Sequence, residues 1–143
     1  MADSDFEQVV SDYHAALSVF FSGDPEPAKR FYSNRDDASL GNPFGPVATG
    51  WKQVEQTMER AASNYRDGEA SGFARLAEYA TPDLRYIVEV ERYKAKVGGG
   101  EHVVPVALRV TTIFRPEDGT WKIVHRHADP ITSVQQAESV VQR

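Results

Sequence analysis

The 143-residue sequence contains no cysteine. Disulfide bonds, thiolate metal ligands and a thiol nucleophile are therefore excluded, and nothing points to an oxidising compartment. No apolar run approaches the roughly 20 residues of a membrane span, and the first stretch of the chain is acidic, unlike a signal peptide. The formal net charge is −5 without a Lys/Arg cluster, which argues against a nucleic-acid partner. We expect a cytoplasmic protein that binds neither membrane nor nucleic acid.

The remaining composition is that of an ordinary globular domain, with 41% apolar and 26% charged residues. A chain of this length buries roughly two-thirds of its unfolded surface without disulfides or metal ions. The sequence shows no internal repeat, low-complexity segment or linker. We therefore expect a single domain over residues 1–143.

Two segments carry apolar residues at the three- and four-residue spacing of an amphipathic helix. The first has Asp3 or Ser4 as its N-cap and ends before Pro25, and the second runs from Trp51 to the stop signal Asp67-Gly68. The apolar stripes are Phe6, Val9, Val10, Tyr13, Leu17, Phe20 and Phe21 in the first helix, and Trp51, Val54, Met58, Ala61, Ala62 and Tyr65 in the second.

From residue 73 the apolar period changes to two, which predicts strands. The predicted strands cover residues 36–42, 73–81, 84–97, 103–115 and 120–128, with a short helical turn within 25–32 and a helical tail from Ser133. The loops between the last four strands have hairpin length, which indicates an antiparallel meander. Helices followed by a meander predict an α+β domain, with a curved antiparallel sheet of four to six strands wrapped around three or four helices.

Alternation within the strands divides the sheet into two faces. The apolar face is predicted to hold Tyr86, Val88, Val90, Val104, Val106, Leu108, Val110 and Phe114. The opposite, mixed face is predicted to hold Ile87, Glu89, Glu91, Tyr93, Arg109, Ile113, Trp121, Ile123, His125 and His127. A monomer would expose the large apolar members of the mixed face, which soluble monomers rarely do. We therefore expect a homodimer formed through that face.

Three motifs resemble a known family. They are Gly50-Trp51 opening a helix, Leu108-Arg-Val-Thr on a long strand and Gly119-Thr-Trp-Lys-Ile-Val-His-Arg-His-Ala-Asp129 closing the sheet. Together they resemble SnoaL-like and ketosteroid-isomerase-like proteins of the nuclear transport factor 2-like (NTF2-like) superfamily. The last motif is also similar to the final strand of the calmodulin-dependent kinase association domain.

The resemblance implies a cystatin-like cone, a homodimer and a deep cavity between sheet and helices. The group includes isomerases, dehydratases, cyclases and assembly modules, so the resemblance implies no single activity. The family's catalytic acid pair has no matching position in this sequence.

Arg126 alternates with the histidines and is predicted to lie on the apolar face, between Val124 and Ala128. A guanidinium buried without a partner costs several kcal/mol. Three interpretations stay open: an internal pair with Asp36 or Asp37, a rim position that reaches solvent, or an anionic or carbonyl-bearing ligand.

His125 and His127 lie two apart on a strand, so their side chains leave the same face within about 7 Å. With Glu89 or Glu91 they could form a metal site of two histidines and one carboxylate. A hydrogen-bonded network with Arg109, or a dimer contact, explains the same residues without metal. We predict the network or the contact, and no metal or other cofactor.

Tyr13 and Trp51 lie on the two helices and can face one cavity, although aromatic residues at helical spacing are more often core. Asp36 and Asp37 are adjacent on the predicted short strand, so one of them should face inward. An inward aspartate beside aromatic rings would have a raised pKa and could act as a general base, whereas the alternative is a turn cap. Asp37 is the candidate base.

Two functions remain open. In the first, a pocket lined by Tyr13, Trp51 and Arg126 binds a hydrophobic ligand with a carbonyl or carboxylate group. Acid/base chemistry such as isomerisation, dehydration or cyclisation would then use Asp37. In the second, the domain is a non-catalytic dimeric module for ligand binding or assembly.

Overall fold

The computed structural model describes the backbone of residues 3–142 and the side chains of residues 5–142. The predicted N-caps, Asp3 and Ser4, fall outside the described side chains. The helices are α1 (Asp3–Phe21), α2 (Glu26–Lys29) and α3 (Trp51–Ala62). The strands are β1 (Ser39–Asn42), β2 (Gly45–Thr49), β3 (Tyr65–Ala80), β4 (Arg85–Val97), β5 (Val104–Glu117) and β6 (Thr120–Asp129). A 3₁₀ turn, Ala137–Val140, follows near the end of the chain.

The six strands form one curved sheet in the order β2-β1-β6-β5-β4-β3. Neighbouring strands are antiparallel, except that β1 pairs with β6 in parallel. One hydrophobic core contains buried side chains from all three helices and from one face of the sheet. This architecture confirms the predicted α+β class and the curved sheet around helices.

Helix α1 forms along the predicted apolar stripe, because residues spaced three or four apart share one side of a helix. Phe6, Val10, Tyr13, Leu17 and Phe21 are all buried against the sheet. Helix α3 presents Val54 and Met58 to the same core. Within residues 3–142, no helix is both long enough and apolar enough to cross a membrane.

The predicted boundary between the second long helix and the strand that follows it is wrong. Helix α3 ends at Ala62, and strand β3 begins at Tyr65 and not at residue 73. Asp67 has a φ of +54° and lies where the register with β4 shifts, so Asp67-Gly68 forms a bulge within a strand rather than a helix stop. Gly68 is required there, since an added Cβ would lie 2.2 Å from the carbonyl oxygen of Phe21. The bulge lets β3 continue past the end of α1.

Three other predicted elements differ from the structure. Residues 36 and 37 lie in a turn, and the strand begins only at Ser39. The turn sequence after Asn42 continues as the unpredicted strand β2, so it joins a hairpin. The tail after Ser133 is irregular apart from its 3₁₀ turn. Each of these segments is short or weakly packed, so it holds too few apolar residues to show the period of a helix or a strand.

The face assignment of β4 is reversed. Ile87, Glu89, Glu91 and Tyr93 point into the core, whereas Tyr86, Val88 and Val90 point outward. Both alternating sets contain apolar residues, so apolar alternation alone cannot choose between them. Partners on the inner side stabilise the inward carboxylates, as described below.

On β6 a bulge changes the alternation. Ile113 pairs with His125 and Phe114 pairs with Ile123, which leaves Val124 as the extra residue. Trp121 and Ile123 are therefore buried inside, and not on the mixed face as predicted. Beyond the bulge, Arg126 points inward and His125 and His127 point outward, as predicted.

Candidate functional site

A buried ion pair joins β4 and β6. Arg126 donates from Nη1 to Oε2 of Glu91 at 2.8 Å and from Nη2 to Oε1 at 2.7 Å. The two side chains are only 8% and 1% exposed. Tyr93 donates its hydroxyl to Oε1 of Glu91 at 2.6 Å. Glu91 is thus held by a bidentate guanidinium and a phenol, a charge-assisted arrangement.

Strand geometry brings these three side chains together. Glu91 and Tyr93 lie two apart on β4 and therefore share its inner face. Strand β5 separates β4 from β6, and Arg126 reaches across it on the concave side of the sheet. Helix α1 covers the group with Tyr13, whose ring centroid lies 5.9 Å from the guanidinium carbon of Arg126.

The electrostatic state of the cluster follows from burial and pairing. Burial by itself would lower the pKa of Arg126, but the Glu91 carboxylate raises it, and the net pKa lies well above the usual range. Burial raises the pKa of Tyr13 and of Tyr93 well above 10.0. The cluster therefore offers a permanent cation and neutral hydroxyl donors near pH 7.

A small cavity, which we call the mouth, opens onto this cluster between the β1–β2 hairpin, the ends of α1 and α3, and strands β5 and β6. It has a volume of about 40 Å³ and is lined by Phe20, Phe44, Tyr65, Leu108 and Arg126, among others. Phe44, at the tip of the β1–β2 hairpin, stands over it with its ring centroid 5.8 Å from that of Tyr65. Arg126 therefore contacts Glu91 on one side and lines an apolar cavity on the other.

Of the three interpretations of Arg126, the structure shows the internal pair, but with an unforeseen partner. The predicted carboxylates were Asp36 and Asp37, and the observed one is Glu91. The reversed alternation of β4 explains the error, because it had placed Glu91 on the opposite face. Tyr13, the other predicted pocket residue on α1, does lie beside Arg126.

The expectation that Asp36 or Asp37 faces inward is wrong. Both are exposed in the turn before β1. Arg115 donates to the two carboxylate oxygens of Asp37 at 2.6 and 2.7 Å. The hydrogen bonds from Arg115 hold the pKa of Asp37 below its ordinary value, the opposite of the raised pKa expected for a general base.

Neither Trp51 nor Tyr13 lines the cavity of Arg126, so the three predicted pocket residues do not form one pocket. Trp51 lies 6.4 Å, ring centroid to ring centroid, from Tyr32, and both line a separate pocket outside the cone. Tyr32 is buried and also contacts Tyr13, at 6.4 Å between centroids. Tyr32 therefore separates the two sites, which apolar spacing alone did not indicate.

Glu89, predicted for the outer face, belongs to a second inner cluster. Its Oε1 lies 2.8 Å from Nε2 of His14, and Nε of Arg75 lies 3.6 Å from its Oε2. The His14 ring stacks on Phe73 at 3.6 Å between centroids. His14 and Arg75 were not predicted for this cluster. Two glutamates on the inner face of one strand would have indicated that cationic side chains lie opposite them.

The outer face of β6 carries polar contacts of Arg109, His125 and His127, but Glu89 and Glu91, predicted for the same network, lie inside. Arg109 donates twice to Asp129, at 3.1 and 2.7 Å, and His127 Nε2 lies 3.0 Å from the same carboxylate. His125 Nδ1 lies 2.7 Å from the Ser39 hydroxyl. Burial, with the charge of His127, lowers the pKa of His125 below 6.5.

A metal site built from His125, His127 and either inner glutamate is ruled out, because the histidines and the glutamates lie on opposite faces. Among the described residues, no group of three or more histidine, aspartate or glutamate side chains is arranged to hold a metal ion.

The chain belongs to the SnoaL-like domain family, which matches residues 6–132. No curated protein matches the sequence significantly. Together with the fold, the match places the chain in the NTF2-like superfamily.

Three solved structures illustrate the likeness. A protein from Streptomyces avermitilis, proposed to be a dehydratase of the NTF2-like family, is 19% identical with a TM-score of 0.72, over 92% of this chain and 100% of that one. A ketosteroid isomerase-like protein from Erwinia carotovora atroseptica is 16% identical with a TM-score of 0.72, over 91% and 96%. A proposed calcium/calmodulin-dependent protein kinase type II association domain from Thiobacillus denitrificans is 17% identical with a TM-score of 0.69, over 88% and 94%. At these identities the likeness establishes the fold alone.

Proposed function

We propose that this SnoaL-like domain binds a small apolar molecule bearing a carboxylate or carbonyl group, at the mouth of the cone and with Arg126 as its anchor. The position of Arg126 carries the proposal: a buried, permanently charged guanidinium lines a cavity with apolar walls. Apolar walls with a few converging polar groups are the usual composition of a small-molecule site. Phe20 and Leu108 supply apolar contact, and Arg126 supplies orientation.

Ligand entry requires the β1–β2 hairpin to move. The cavity of about 40 Å³ holds about three water molecules, whereas drug-sized ligands occupy roughly 300 Å³ or more. The hairpin tip is the most accessible wall, because Phe44 is about half exposed and contacts the body of the domain through Tyr65. Outward rotation of Phe44 enlarges the cavity above Arg126 without unfolding the core.

The chemistry of the site favours binding over turnover. Arg126, which lines the cavity, can stabilise negative charge on a ligand oxygen. The carboxylate nearest to it, Glu91, accepts hydrogen bonds from Arg126 and Tyr93 and has to exchange Arg126 for solvent or ligand before it can accept a proton. Asp37 is too exposed and too strongly paired to serve this site.

A matched pair of probes tests the anchor. Octanoate and 1-octanol have the same chain, but only octanoate can pair with the guanidinium. We expect octanoate to bind more tightly by about tenfold, because a hydrogen bond to a charged group contributes about 1.5 kcal/mol or more. Titration calorimetry measures both affinities. Equal affinities would contradict the role of Arg126, and no binding of either probe would contradict the site.

The control variant removes the charge without leaving a buried charge unpaired. Glu91→Gln with Arg126→Met replaces the ion pair by neutral side chains of similar size. We expect it to lose the preference for octanoate and to keep 1-octanol binding. Phe44→Ala should accelerate association of both probes, as measured by stopped-flow fluorescence.

A homodimer is the second proposal, and it now depends on different residues from those first predicted. Tyr93, Trp121 and Ile123 are buried inside, so they cannot be a dimer surface. The outer face instead exposes Leu76 and Tyr79, which are 64% and 54% exposed. A structurally similar protein is a proposed association domain, which supports a second copy as the partner of this face.

Sedimentation velocity at micromolar concentration tests the homodimer. We expect a dimer for the parent protein and a monomer for Tyr79→Glu, because a buried charge opposes an apolar interface. Val47→Glu is the matched control, since Val47 is also exposed but lies on β2, at the opposite edge of the sheet from Tyr79. A parent monomer, or an equal effect of both variants, would overturn this proposal.

A further inference from the structure

A second pocket lies outside the cone, between α2, the beginning of α3 and the β5–β6 turn. Its volume is about 510 Å³, more than ten times that of the mouth cavity. Trp51 and Tyr32 provide its aromatic walls. We call it the Trp51 pocket. It is independent of the proposed function at Arg126, because the buried ring of Tyr32 lies between the two sites.

A frame of hydrogen bonds fixes the walls of the Trp51 pocket. Lys29, whose side chain is only 9% exposed, lies 2.5 Å from Glu26, 3.4 Å from Glu55 and 2.6 Å from Glu59. Burial opposes its charge, but its hydrogen bonds to these carboxylates raise the pKa of Lys29. The lysine therefore links α2 to α3 by charges that are already paired.

A second link ties β6 to the end of α2. Lys122 donates from Nζ to the backbone oxygen of Arg30 at 2.7 Å. This bond fixes the backbone from which the Arg30 side chain extends into the pocket lining.

Two lining charges lack partners. Among the side chains of residues 5–142, none pairs with the guanidinium of Arg30 or with the carboxylate of Asp118. Asp118 is held in the β5–β6 turn with a φ of +53°. Within the described part of the chain, the pocket thus presents an unpaired guanidinium and an unpaired carboxylate beside Trp51, while the Lys122 ammonium group contacts a backbone oxygen.

The charge balance of the lining selects the class of ligand. Lys29, Arg30 and Lys122 face four acids, namely Glu26, Glu55, Glu117 and Asp118. A ligand with only negative charge meets the four acids, and one with only positive charge meets the three bases. A ligand with one charge of each sign can satisfy Arg30 and Asp118 together and repel neither set.

We propose that the Trp51 pocket binds a small zwitterion of the amino-acid type, with its carboxylate on Arg30, its ammonium group on Asp118 and its side chain against Trp51. Guanidinium and carboxylate form bidentate pairs. An indole face contributes apolar contact area and attracts a nearby ammonium group.

Three probes with one phenyl ring test this assignment: phenylalanine, phenethylamine and 3-phenylpropionate. The last two each lack one of the two charges. Tryptophan fluorescence reports binding, since Trp51 lines the pocket whereas Trp121 is buried elsewhere in the core. We expect phenylalanine to bind with a dissociation constant on the order of millimolar, about fivefold more tightly than either analogue. No binding of phenylalanine, or equal binding of all three probes, would overturn the proposal.

Two variants locate the charges. Arg30→Gln should make phenylalanine bind no more tightly than phenethylamine, and Asp118→Asn should make it bind no more tightly than 3-phenylpropionate. Asparagine tolerates the left-handed backbone at position 118, so the turn is retained. Lys52→Gln, on the exposed side of α3, is the matched control and should change none of the affinities. If either pocket variant leaves the preference for phenylalanine intact, the assignment of that charge is wrong.

Trp51→Phe should abolish the fluorescence response and keep phenylalanine binding in calorimetry. The Glu91→Gln/Arg126→Met protein should bind phenylalanine as the parent does, because its substitutions lie inside the cone. Loss of phenylalanine binding in that protein would contradict two independent sites.

Discussion

Two arginine–carboxylate pairs in this domain have nearly the same geometry and opposite surroundings. Arg126 and Glu91 form two hydrogen bonds of 2.7 and 2.8 Å, and Arg115 and Asp37 form two of 2.6 and 2.7 Å. The first pair has side chains 8% and 1% exposed, whereas those of the second are 24% and 63% exposed. Distances therefore do not distinguish the pairs, and burial does.

The contribution of an ion pair to stability depends on how far it is removed from water. Water screens the Arg115–Asp37 attraction and can replace either partner. The Arg126–Glu91 pair has lost its hydration, so each charge depends on the other. Removing one partner of the buried pair should therefore destabilise the domain far more than removing one partner of the exposed pair.

The largest effect is expected from Glu91→Gln. The substitution keeps the shape but leaves the Arg126 charge buried without its counter-charge, which costs about 3–5 kcal/mol. Urea unfolding monitored by circular dichroism measures the loss. A loss below about 1 kcal/mol would show that the buried pair behaves like a surface pair, and the comparison would fail.

A smaller effect is expected when both charges are removed. In Glu91→Gln/Arg126→Met no buried charge remains, and the introduced glutamine retains an oxygen that can accept from the Tyr93 hydroxyl. Replacing a whole buried pair is often neutral or stabilising, so we expect a free energy of unfolding within about 1 kcal/mol of the parent. The measurement is the same urea titration. If the double variant is less stable than Glu91→Gln alone, the cost lies in packing and not in charge.

His125 is half-buried, between the burial of the two ion pairs. Its pKa is lowered from 6.5, first by burial and then by the charge of His127. A lowered pKa means that the unfolded chain takes up the proton first, so stability is fully present above about pH 6.5 and falls as the pH falls toward the lower folded pKa. We expect a shallow decline between pH 7 and pH 5, below about 1.4 kcal/mol per pH unit.

Thermal unfolding across that pH range measures the decline. His125→Asn keeps a polar group near the Ser39 hydroxyl and removes the titration, so its curve should be flatter than that of the parent. Parallel curves would mean that His125 titrates equally in the folded and unfolded states.

The sequence predicted the fold well where an apolar pattern extends over many residues. The α+β class and the SnoaL-like family were predicted from the apolar stripe of α1, the period-two strands and the motif that closes the sheet. Both predictions are confirmed. Periodicity does not reveal a bulge, and one extra residue reverses the faces of the residues on one side of it relative to those on the other side. Val124 is such a residue, and it moved Trp121 and Ile123 from the outer face to the core.

The candidate site was only partly predictable for the same reason. Arg126 was placed correctly, since it alternates with His125 and His127 on the same side of the bulge. Its partner Glu91 was missed because β4 carries apolar residues on both faces, and only the three-dimensional register selects one. Asp37 was misplaced because a turn precedes β1 where a strand was predicted.

The smallest effect is expected from Asp37→Asn, and it is the strictest test of the comparison. Arg115 keeps other partners when Asp37 is lost, since it also donates to Glu117 at 2.8 Å and to Ser33 at 3.3 Å. Hydrogen bonds from Arg115 lower the pKa of Asp37 below 3.8. The contribution of the pair is therefore present above that pH and lost as the pH falls through the lower folded value.

At pH 7 and physiological salt we expect an unfolding midpoint equal to that of the parent within error, because salt screens exposed charges. A difference should emerge only at low ionic strength and vanish in strong acid. If Asp37→Asn destabilises the domain as much as Glu91→Gln does, hydrogen-bond geometry and not burial sets the weight of these pairs.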